Sequence, residues 1–94
     1  MRETKEESKR AAAPSESAIQ AAEALGREVA GARRRLGLGQ DDVAFAAHVS
    51  PRTVFAIEKG KPTVRFDMLS RVLAAVGLEL TARSRDRAWK PPPR

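Results

Sequence analysis

Apolar and polar positions along the chain fall into four segments of helical period and one alternating segment. The first helical segment runs from about Ala18 to Leu36. Leu25, Val29, Ala32 and Leu36 form its apolar stripe, and Ser17 with Gln20 has capping-box spacing at its start. Gly26 and Gly31 weaken it, and Gly37 ends it. The second segment, about Gln40 to Ala47, buries Val43, Ala44 and Ala47. Asp41 and Asp42 in its first turn suit the helix dipole. The third runs from about Pro51 to Lys59. Ser50 is placed to cap it, Pro51 suits the first helical position, and Gly60 supplies a left-handed stop. The fourth, about Phe66 to Val76, turns Phe66, Leu69, Val72, Leu73 and Val76 inward before Gly77.

From Leu78 to Arg83 the period drops to two, a strand pattern. A lone strand leaves its backbone groups unpaired, and no second strand is visible in the sequence. The simplest partner is the same strand of a second copy, antiparallel across a two-fold axis and carrying Leu78, Leu80 and Ala82. The other arrangement is a short extended tail packed on its own helices.

The second and third helices carry the chemistry. Val54 and Ile57 face inward at helical spacing, whereas Pro51, Arg52, Thr53 and Ala56 face out. A short helix with a polar N-terminal half, held by a partner helix across a tight turn, is the geometry that enters the major groove of DNA.

Charge agrees with that reading. The chain has 94 residues and a formal net charge of +6. Residues 1–26 carry four basic and five acidic side chains, residues 27–82 nine and six, and residues 83–94 five and one. The positive excess therefore sits on the helical region and its tail, which favours a polyanion partner. The expected organisation is a disordered arm over 1–16, one domain over 17–83, and a flexible basic, Pro-rich tail over 84–94. Trp89 in that tail is a candidate anchor for a protein partner, since Trp is enriched at binding hot spots.

Other classes find little support. There is no cysteine, and the single His48 and the scattered carboxylates form no metal or nucleophile set. Neither a cofactor nor enzyme activity is expected. No apolar run has membrane-spanning length and the N-terminus lacks a signal-peptide core, so the expected location is cytoplasmic.

The stretch LGREVAGARRRLGLGQDDVAFAAHVSPRTVFAIEKGKPTVRFDMLSRVLAAVGLEL resembles the Xre/Cro-type, lambda repressor-like helix-turn-helix domain. The RRRLGLGQ, IEKGKPTVRFDMLSRVL and GLELTAR segments are similar to its HipB-like antitoxin subgroup. The resemblance covers about residues 25–83. It implies an all-α fold of four to five helices with a short C-terminal strand paired across a dimer. It places Arg52, Thr53, Pro51 and Ala56 at base edges, with Arg52 as the main reader. It assigns Gln40, Lys59, Lys61 and Arg65 to phosphates and pairs Arg33 with Glu58 as a structural ion pair. The function implied is a homodimeric repressor on a palindromic operator of double-stranded DNA. As an antitoxin it would also neutralise a HipA-like kinase toxin and repress its own operon. The alternatives are a free-standing regulator without a toxin, or an interaction module that has lost DNA readout. Three positions depart from the family pattern: Gly39 replaces a capping side chain, His48 replaces the turn glycine, and Phe55 occupies an outward position that is usually polar.

Overall fold

The computed structural model describes residues 13–84 and 90–93. Residues 1–12, most of the expected N-terminal arm, and Trp89 lie outside the described residues. Four helices follow in order: α1 Glu16–Arg35, α2 Gln40–Ala47, α3 Pro51–Glu58 and α4 Phe66–Ala75.

Each helix begins for a local reason. Ser50 accepts the Thr53 backbone N–H at 3.2 Å, and Pro51 takes the first position of α3. At α2 the cap residue is Gly39, and Asp42 reaches back to accept its N–H at 2.7 Å. At α1 the expected Ser17 cap is corrected. The helix starts two residues earlier than expected, and Ser15 accepts the Ala18 N–H at 3.1 Å. Ser17 instead lies in the first turn, its hydroxyl 3.1 Å from that of Ser15.

All four helices end in the same way. The N–H groups of Leu38, Val49, Lys61 and Leu78 each donate back to the carbonyls of Arg33, Ala44, Ala56 and Leu73 across a left-handed residue. This is the Schellman motif, which satisfies carbonyls left without helical partners and turns the next side chain back onto the helix. Leu38, Val49 and Leu78 accordingly pack against the core. Three left-handed residues are glycines. The fourth is His48, at φ 57° and ψ 44°, so the turn between α2 and α3 keeps the usual geometry without the usual glycine.

The core is made of aliphatic side chains, mostly valine and alanine, from every helix: Val29 and Ala32, Val43, Ala44 and Ala47, Val54 and Ile57, Val72, Leu73 and Val76. Four of the valines are fully buried, each contributing about 1.5–3 kcal/mol from area removed from water. Small residues let the helices approach closely. The extreme case is Gly26, where an added Cβ would lie 2.4 Å from the Ile57 carbonyl and 2.8 Å from that of Glu58. Gly26 weakens α1 only as an isolated helix. In the fold it is the point where α1 crosses the end of α3. One turn further on, Gly60 sits against the Glu23 backbone with φ 86°, so it serves both the stop and the crossing.

Two apolar expectations are corrected. Leu36 is 56% exposed, because it caps α1 and the Schellman turn sends Leu38 inward instead. Phe66 is 68% exposed, because it stands at the first position of α4 and the buried stripe begins at Leu69. The alternating segment does not form a strand within one chain. Among the described residues there is no strand, and residues 78–84 carry no regular structure. Leu78 is half-buried against the helices, but Leu80 and Ala82 are exposed. Within one chain the segment has no second strand to complete its backbone hydrogen bonds.

Candidate nucleic-acid interface

The outward face of α3 is set by what its inward face buries. Val54 and Ile57 lie in the core, so Pro51, Arg52, Thr53 and Ala56 are turned away from it by helical geometry. Pro51 and Arg52 are exposed, while Thr53 and Ala56 are half-buried along the flank. The Thr53 hydroxyl lies 3.1 Å from that of Ser50, so this side chain is already oriented by the cap.

The structure brings together residues that are distant in sequence. Arg52, Thr53, Ala56, Lys61 and Arg65 line one shallow groove of about 240 Å³. Thr63, Val64 and Met68 complete it, three residues that sequence periodicity did not single out because they reach the site only through the turn into α4. The Arg65 guanidinium is held to Asp67, with Nε 3.2 Å from Oδ1, so a phosphate there would share it with a carboxylate. On the opposite flank, Gln40, Phe55 and Lys59 line a second groove of about 250 Å³ together with Arg34. Helix α3 is thus bordered by cations on both sides. That matches what a duplex presents when a helix lies in its major groove, since a phosphate backbone passes on either side.

The side of α3 facing α1 is locked. Arg33 Nε donates to Glu58 Oε2 at 2.7 Å and Arg33 Nη2 donates to Glu58 Oε1 at 3.0 Å. Arg33 Nη1 donates to the Leu38 carbonyl at 2.9 Å, and Gln40 Nε2 donates to Glu58 Oε1 at 3.0 Å. The pair is largely buried, its side chains 12% and 7% exposed. Burial by itself would push the Glu58 carboxyl up. The hydrogen bonds from Arg33 and Gln40 outweigh it and hold the group below the usual carboxylate range. The hydrogen bond to Glu58 raises the Arg33 guanidinium further, against its own burial. One network therefore ties α1, the α1–α2 turn, α2 and α3 together, and no buried side-chain polar atom among the described residues lacks a partner.

Gln40 has a structural bond that the sequence does not reveal. Its amide nitrogen carries two hydrogens and Glu58 takes one, leaving the second for an anion. Phe55 is exposed and stacks under Lys59, whose Nζ lies 5.4 Å from the ring centre.

Residues 24–85 match the family described as helix-turn-helix domain. The chain belongs to the helix-turn-helix domain family. No curated protein matches it. The helix-turn-helix fold is a DNA-binding module, and α2 and α3 are its two signature helices. Among the described residues no helix is long and apolar enough to cross a membrane.

Proposed function

We propose that this helix-turn-helix protein is a sequence-specific repressor that binds a palindromic operator as a homodimer. The observation that carries the reading is the placement of α3. It presents Pro51, Arg52, Thr53 and Ala56 outward, between flanks that hold Lys61 and Arg65 on one side and Gln40 and Lys59 on the other. Arg52 is the base reader, because its fork can bond both acceptors of a guanine. Thr53 offers a methyl or a hydroxyl, and Pro51 and Ala56 offer apolar contact only. The surface carries few hydrogen-bonding groups, so specificity leans in part on DNA shape.

Dimerisation supplies the second half-site. The segment 78–83, with Leu78, Leu80 and Ala82, pairs with its counterpart across a two-fold axis. Support comes from its alternating pattern and from Leu80, which stands 46% exposed with no packing partner for half of its surface. The HipB-like resemblance of the GLELTAR ending favours an antitoxin that neutralises a HipA-like kinase and represses their shared operon. Trp89 would then serve as a partner anchor. The rival is a free-standing regulator, and an adjacent kinase-like reading frame separates the two.

Selection from random duplexes at fixed salt tests the main reading. The expected product is an inverted repeat with half-sites one helical turn apart or a multiple of it. Enrichment of nothing, or of a single unrepeated half-site, would count against the dimeric repressor. Deleting residues 78–94 should yield a monomer by light scattering, and a dimer that survives would remove the strand-pairing scheme.

A further inference from the structure

The groove on the α1 side of the reading helix holds more cation than the structural ion pair needs. Arg33, Arg34 and Lys59 line it against the single carboxylate of Glu58, a balance of two positive charges. Arg33 is consumed by Glu58 and by the Leu38 carbonyl. Arg34 is exposed in the last turn of α1, and its charge is close enough to act on Glu58. Lys59 caps α3 and its Nζ lies over the face of Phe55, a contact that favours this placement of the side chain. An exposed Phe beside two cations, neither of which is in contact with a carboxylate among the described residues, is a poor arrangement for water and a good one for a sugar-phosphate chain.

Phe55 adjoins Ala56 in sequence, and Lys59 follows three residues later. A duplex engaged by Pro51, Arg52 and Ala56 must therefore carry one strand past this side of the helix. We propose that Arg34, Phe55 and Lys59 form a seat for the DNA backbone, taking one phosphate between the two cations and the adjoining deoxyribose against the ring. Gln40, whose second amide hydrogen is unspent, closes the seat from the α2 side. Phe55 is a positioning residue for Lys59, and this is why an aromatic ring stands at an outward position of α3. The seat rests on the DNA-binding reading and reads no sequence.

Titrating a duplex of random sequence across 50–200 mM salt tests it. Arg34→Ala and Lys59→Ala should each lower the slope of log affinity against log salt by about 0.9. The fourfold rise in salt should then weaken each variant about threefold less than the parent. Phe55→Ala should weaken binding without moving the thermal midpoint, and this loss should vanish in a Lys59→Ala background. A Phe55→Ala loss that persists in that background would overturn the positioning role. If Arg34→Ala and Phe55→Ala bind as the parent does while Lys61→Ala loses a phosphate contact, the seat is wrong and the DNA-binding reading stands. A parent protein with no salt-dependent duplex binding would remove both.

Discussion

The two sides of α3 follow opposite rules. Toward α1 every buried side-chain polar atom among the described residues is paired. Arg33 and Gln40 both donate to Glu58, and Gly26 lets the backbones approach to the limit. Toward solvent, Pro51, Arg52 and Ala56 make no side-chain hydrogen bonds among the described residues, and Thr53 touches only its own cap. The locked side fixes where the helix points. The open side holds no internal contact that a DNA base would have to displace. A reading helix benefits from this division, because a rigid mount lowers the ordering cost of recognition. It also means that loss of DNA binding has two separate causes, which mutations can tell apart.

The sharpest break should come at Glu58. Glu58→Ala strands the buried Arg33 charge and should cost about 3–5 kcal/mol in denaturant unfolding, with DNA binding lost as a consequence. The same carboxylate makes a pH signature. Its folded pKa lies below the ordinary value of 4.5, so its contribution to stability is complete above that pH and is lost as pH falls through the lowered value. Thermal midpoints should therefore drop on acidification below 4.5, and Glu58→Gln should lack that component. An identical acid profile in the two proteins would show that Glu58 is not the titrating group.

Gly26→Ala adds a methyl where the Ile57 carbonyl already stands, and should cost about 1–3 kcal/mol as α1 and α3 separate. Unchanged stability would mean that the crossing is looser than described. On the open side, Arg52→Ala should leave stability within about 0.5 kcal/mol. It should weaken the selected operator by about 1–3 kcal/mol and relax preference at one base pair. If Arg52→Ala instead lowers the unfolding midpoint, the contrast between the two sides fails. The smallest effect belongs to the flank. Lys61→Ala should weaken all duplexes alike and reduce the salt slope by about one unit. A sequence-selective loss would move Lys61 from the backbone to the bases.

Much of this was legible in the chain because it is local. Ser50 and Pro51 start α3, Gly60 stops it, and Val54 and Ile57 give its inward face, all within ten or so residues. The Arg33–Glu58 pairing was legible only through family resemblance, since its partners stand 25 positions apart. The misreadings share a cause. Leu36 and Phe66 fit a helical stripe, but they sit at helix ends, where the period no longer says what lies opposite. Ser17 had the right spacing for a cap, yet Ser15 lay where the backbone left the helix.

Alone, the sequence determined how α2 and α3 begin, where a left-handed residue stops each helix, and which residues α3 turns outward. Those follow from caps, left-handed stops and a period of 3.6, all short-range. Only the tertiary structure decided that Gly26 is a helix crossing, that Gln40 serves Glu58, and that Arg34 and Lys59 share a groove with Phe55. Each of these depends on how helices cross in space, and crossing distances are fixed by the packing of residues that no local pattern places side by side.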